Sequence, residues 1–169
     1  MFDTIAGLPL HPLVVHATEV VVPCAALAVA LAALWPWFRR WARLLPLGLA
    51  FMAVVLVPIS TQSGEALQER VTETSLIQAH ADVAEGLVPW TIVLFVVAAV
   101  LFWWYRNEID TKPSRAPRWV ALALAAGAVL VGTGTMVQAV LVGHSGATAV
   151  WSHVASSTTN PPAAGSERD

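Results

Sequence analysis

Residues 86–105 read GLVPWTIVLFVVAAVLFWWY, twenty positions without one charged side chain. A helix rising about 1.5 Å per residue carries such a stretch through roughly 30 Å, the thickness of a bilayer's hydrocarbon core. Working outward, three more stretches read the same way: from about Leu13 to Trp37, from about Leu44 to Gln62, and from about Trp119 to Val142. The second is the shortest. Its unbroken apolar part, Leu44 to Ile59, reaches only about 24 Å, so Ser60, Thr61 and Gln62 must finish the crossing and are expected to face protein rather than lipid. The segment before Gly86 reads as a helical lead-in to the third span.

Composition agrees with four spans. Of 169 residues, 57% are hydrophobic and 12% charged, about half the charged fraction of a soluble domain. A net charge of −2 gives no footprint for nucleic acid, and one cysteine cannot close an internal disulfide. The expected fold is all-α: an integral-membrane four-helix bundle within residues 1–155, followed by a solvated tail, 156–169, rich in Ser, Thr, Pro and Ala. Met1-Phe2-Asp3 supplies no basic region, and the first apolar stretch is longer than a signal-peptide core, so it reads as a retained span.

Charge sets the expected orientation. Arg39, Arg40 and Arg43 fall between spans one and two, and Arg106, Lys112, Arg115 and Arg118 between spans three and four. The other side holds only Arg70 and Arg168. Short basic loops stay cytoplasmic, which puts both termini on the outer side of a bacterial cytoplasmic membrane. Trp35, Trp37, Trp41, Trp103, Trp104 and Trp119 mark the inner boundary, and Trp90 and Trp151 the outer one. Ala25, Ala28 and Ala32 share a face of the first helix, and Ala128 with Gly132 forms a small-xxx-small pair on the fourth, as close helix packing requires. The two halves share a hairpin plan, each entering from outside and turning at a basic loop.

The ionisable groups of the outer side carry the functional question. His11, His16, His80, His144 and His153 all lie at outer ends of spans or just beyond, with Glu19, Glu65, Asp82 and Glu85 nearby. A carboxylate or imidazole in a span is costly and marks function by default. His16 and Glu19 are three residues apart and share a helix face, so both are expected to point into the bundle. His80 shares a face with Ala84, Leu87 and Thr91, and His144 with Thr133, Val137 and Val140; Thr135 and Gln138 form a second polar stripe. His16, His80 and His144, from three helices at similar depth, could converge on one site. His11, before Pro12, reads equally well as a helix cap, His153 as a cap or headgroup residue, Glu69 and Glu73 as solvated, and Cys24 as buried and inert. Ser63-Gly64-Glu65 and Ser145-Gly146 read as turns.

The stretch His11-Pro12-Leu13-Val14-Val15-His16 opening a span resembles the start of the bacterial membrane family catalogued as domain of unknown function 2231. His80 at the mouth of the third span resembles that family's second histidine position, and Gly143-His144-Ser145-Gly146 its closing signature. Thr61-Gln62-Ser63-Gly64-Glu65, with Ala149-Val150-Trp151, looks like the actinobacterial branch. Where many relatives carry Phe-Pro after the second histidine, this chain has Ala17-Thr18-Glu19. The resemblance covers about residues 8–151 and implies four spans and recurrent histidines without supplying an activity.

Three functions remain open on these residues. One is a redox protein with a single b-type haem near the outer surface, ligated by two of His16, His80 and His144, with His80 and His144 the first pair; bis-imidazole ligation needs histidines on facing helices, and the absence of CxxCH excludes covalent c-type attachment. The second is a zinc, copper or iron site drawn from His11, His16, Glu19, Glu65, His80 and His144. The third is a non-catalytic accessory subunit, with a membrane-protein partner or a second copy of the chain, whose histidines cap helices or sense pH. Transport is disfavoured, since the inner halves of the spans carry no charged or broken-helix feature, and no nucleophile elbow supports a serine hydrolase.

Overall fold

A computed structural model describes residues 4–5, 8–68, 74–110 and 118–159, with side chains placed over 11–68, 74–107 and 118–151. Glu69, Arg70, Glu73, Lys112, Arg115, Arg168 and the tail from residue 160 lie outside the described residues. A minimal antiparallel pairing of β1 (Thr4–Ile5) with β2 (Leu8–Pro9) precedes six helices. These are α1 (Leu10–Leu34), α2 (Pro36–Ala42), α3 (Leu45–Gln68), α4 (Ser75–Glu85), α5 (Leu87–Asp110) and α6 (Arg118–Thr159). Four segments are long and apolar enough to cross a membrane: His11–Leu34, Leu45–Gln68, Ser75–Asn107 and Arg118–Trp151.

Local chemistry explains where the helices stop. The first span ends at Leu34 rather than at Trp37, because Pro36 pushes Trp35 into extended backbone (φ −120°, ψ 102°) and then takes the first position of α2. Pro46 and Pro89 sit in the first turns of α3 and α5, where a missing N–H leaves no helical bond unmade. Thr74 caps α4, its hydroxyl accepting from the Ile77 N–H. The α4 helix is the anticipated lead-in, separated from α5 by Gly86 alone.

Two corrections concern the C-terminal parts of α3 and α6. The sequence suggests turns at Ser63-Gly64-Glu65 and at Ser145-Gly146, yet both stretches are helical, and α6 continues to Thr159. The α3 helix thus reaches Gln68, removing the shortfall of the second span. Ser60 and Thr61 do turn toward protein, while Gln62 is exposed.

The spanning helices pack in a closed square, α1 on α3, α3 on α5, α5 on α6 and α6 back on α1. The seam is built from small residues: Ala25, Ala26 and Val29 of α1, Ala50, Ala53 and Val57 of α3, Leu94 and Ala98 of α5, and Ala128 of α6 are all buried. As expected, Ala28 and Ala32 are buried too, and Gly132 is buried against α1, where a Cβ would lie 3.1 Å from the Ala26 carbonyl. Lipid offers no hydrophobic drive between helices, so such close backbone approach is what holds them together. Cys24, expected to be buried, is exposed; it stands outside the α1 stripe of Val22, Ala25, Ala26 and Val29 and faces the lipid. Leu122, Leu130 and Val20 are likewise turned outward. Trp37 and Trp41 stack with ring centroids 6.4 Å apart, and Trp35 adds to the row at 5.6 Å from Trp37, a belt beside the arginines of α2.

Candidate functional site

Between the ends of α1, α3, α4 and α6 where the histidines gather lies a cavity of about 660 Å³ with mostly apolar walls. Small cofactors and ligands occupy cavities of about 300–1,000 Å³ of this character. His11 and His80 both line it and lie within electrostatic range of each other. They come from opposite hairpins.

Each imidazole rests in the same cradle. His11 Nδ1 is 3.2 Å from the Ser60 carbonyl oxygen and 3.1 Å from Ser63 Oγ. A carbonyl can only accept, so Nδ1 carries the proton. The Ser63 hydroxyl spends its own proton on the Ser60 carbonyl at 2.9 Å and therefore accepts from the ring. His80 has a similar seat: its Nδ1 is 2.9 Å from Ser145 Oγ, and the Ser145 hydroxyl donates to the Val142 carbonyl at 3.0 Å and so accepts from the ring. Both rings are thus held in the Nδ1–H tautomer, which leaves the lone pair on Nε2.

A glycine follows each serine for a steric reason. A Cβ on Gly64 would lie 3.1 Å from His11 Cε1, and one on Gly146 would lie 3.1 Å from His80 Cε1. The rings lie against bare backbone, so the Ser-Gly pairs are docking surfaces on continuous helices and not turns. Ala84, expected as the small residue below His80, lines the cavity as well.

The junction behind His80 is tied down from α6. Gln138 Nε2 donates to the Val83 carbonyl at 2.8 Å, across the break between α4 and α5. Trp90 lies on Gly134, where a Cβ would come within 2.2 Å of its ring. The sequence reading placed Gln138 in a polar stripe without a partner and treated Trp90 as an interfacial anchor; its ring is also a packing element.

The other sequence-nominated residues divide clearly. Glu19 and Glu65 are exposed overall but reach the cavity wall, and Glu19 is close enough to His80 to act on it electrostatically. His16, expected to point into the bundle, is exposed; its Nδ1 bonds the Pro12 carbonyl one turn back, and it does not line the cavity. His144 is exposed on α6, turned away from the cavity by the roughly 100° that separates it from Ser145. The expected convergence of His16, His80 and His144 is therefore replaced by His11 with His80. Only the backbone of His153 is described. Among the described residues, no three His, Cys, Asp or Glu side chains come together closely enough to hold a metal ion.

The serines and glycines of the two cradles read as turns in the sequence, although a signal of their shared role is present. Ser-Gly occurs in the C-terminal half of the second spanning helix of each hairpin, at 63–64 and at 145–146. No curated protein and no solved structure matches the chain. Residues 7–159 match the model of a family described as predicted membrane protein, DUF2231. With four apolar helices long enough to span and a family match over nearly its whole length, the chain belongs to the DUF2231 membrane-protein family.

Proposed function

We propose that this protein is a redox component of a bacterial inner membrane, holding one b-type haem in the outer cavity with His11 and His80 as axial ligands. The observation that carries the reading is the duplicated cradle. Iron- and metal-binding histidines are held by a hydrogen bond from the other ring nitrogen, which fixes the tautomer and the ring's orientation. Here two imidazoles from facing hairpins each commit Nδ1–H to a serine, His11 to the Ser60 carbonyl as well, leaving both Nε2 atoms as Lewis bases at one apolar cavity. Gly64 and Gly146 let the Cε1 edge of each ring come close to the receiving helix. A bound haem would supply one-electron chemistry, its potential tuned by the imidazoles and by the apolar walls. The arginine-rich loops support an orientation with this end of the bundle outside the cytoplasm, by the positive-inside rule.

The test is a visible spectrum of detergent-purified protein, expressed with ample haem, before and after dithionite. The expected result is a sharp reduced α-band that disappears in His11→Ala and in His80→Ala and persists in His16→Ala and His144→Ala. A featureless spectrum from folded protein, or a band that survives both cavity variants, overturns the reading.

The proximity of Glu19 to His80 favours a second reading, a zinc, copper or iron ion held at the same two imidazoles. Colourless protein with one metal per chain, lost in His80→Ala, would select it.

A further inference from the structure

At the opposite end of the bundle a crevice of about 440 Å³ opens between α1, α2, α3 and α5. Its walls are apolar, formed by Val29, Leu47, Ala98, Leu101 and Phe102, and its rim carries Arg39, Arg40, Arg43 and Arg106. Arg39 is committed to the fold: Nη1 donates to the Ala32 carbonyl at 3.0 Å, and the guanidinium lies 3.3 Å from the Tyr105 ring centroid. Among residues whose side chains are described, a set that excludes Glu108 and Asp110, Arg40, Arg43 and Arg106 have no carboxylate partner. Three guanidiniums around an apolar slot form an amphipathic receptor, cationic at the mouth and greasy within.

The backbone at Arg43 adds an independent observation. Arg43 closes α2 at φ 44°, ψ −98°, the one non-glycine residue with positive φ among those described. Glycine is the usual residue where a helix ends with positive φ. Retaining arginine there, against the backbone's preference, keeps a third cation at the crevice mouth. Residues held in such conformations cluster at binding sites.

We propose that this crevice binds one anionic phospholipid, its phosphate among Arg40, Arg43 and Arg106 and its acyl chains along the apolar walls. Basic pockets between spanning helices are suited to anionic headgroups. A lipid is favoured over a soluble phosphate because the floor is apolar and the Trp35–Trp37–Trp41 row marks headgroup level beside it.

Native mass spectrometry of the detergent-purified full chain tests this with phosphatidylglycerol, phosphatidylcholine and inorganic phosphate. One phosphatidylglycerol should stay bound at collision energies that strip phosphatidylcholine, and millimolar inorganic phosphate should not displace it. Each arginine replaced by glutamine should weaken binding roughly fivefold, about 1 kcal/mol per cation near the headgroups. Arg40→Gln and Arg106→Gln leave the Arg43 turn intact, so they decide the matter even if Arg43→Gln fails to fold. Equal retention of the two lipids, undiminished binding in both single variants, or displacement by inorganic phosphate would each overturn the proposal.

Discussion

His11 and His80 occupy matching cradles but are delivered to them by different means. His11 belongs to the first turn of α1, a helix that continues unbroken through the bundle to Leu34. His80 belongs to α4, an eleven-residue helix separated from α5 at Gly86, and it depends on clamps from α6: Gln138 on the Val83 carbonyl and Gly134 beneath Trp90. What the hairpins share lies on the exit helix, a serine bonded three residues back and a glycine directly after it. The receiving helix sets the histidine's tautomer and position, and the arriving helix is free to be continuous or broken. The first cradle is consequently rigid by continuity, and the second only as rigid as its clamps.

The largest effect that would sharpen this contrast is expected in the second hairpin. Gly134→Ala drives a methyl into the Trp90 ring, backed by α5, and should destabilise the protein by about 3 kcal/mol, the upper end of ordinary overpacking. Gly127→Ala meets nothing within 4 Å and should leave the detergent unfolding midpoint unchanged. Equal midpoints for the two variants would remove the Trp90 clamp from the account.

Next in size are the serines. Loss of a supporting hydrogen bond behind a ligating imidazole costs roughly 10–100-fold in affinity for the bound group. Ser63→Ala and Ser145→Ala should both weaken haem retention, measured by transfer to apomyoglobin. Ser145→Ala should suffer more, since α4 has less to hold its histidine in place. A larger loss in Ser63→Ala would reverse the ranking of the two cradles.

The smallest effects are expected from the cradle glycines. A methyl on Gly64 or Gly146 meets the imidazole at 3.1 Å, so the ring must yield by a few tenths of an ångström. His80 can yield with the short α4, whereas His11 is fixed in α1. Gly64→Ala should therefore shift the reduced α-band more than Gly146→Ala, and identical shifts would argue that both arriving helices are equally stiff.

The four spans, the alanine seam of α1 and the close approach at Gly132 were legible in the sequence because they depend on hydropathy and on spacing within one helix. So was the gathering of histidines at one end. Which histidines meet was not. His11 and His16 are five residues apart, and His144 and Ser145 are adjacent, so a modest rotation of a helix decides which one faces inward. That rotation is set by partner helices. Ser63-Gly64 and Ser145-Gly146 misled for a related reason: in water such pairs favour turns, whereas between membrane helices small residues serve close approach. The end of the first span was legible in Pro36, had the restriction on Trp35 been weighed against the hydropathy of Trp37.

The length of α6 has a consequence of its own. Forty-two residues rise about 63 Å, roughly twice the thickness of the apolar slab the helix crosses. From Ser145, which holds His80, the helix climbs a further fourteen residues to Thr159, about 21 Å. It stands as a post rooted in the membrane, its last described turn held at that standoff from the His80 cradle.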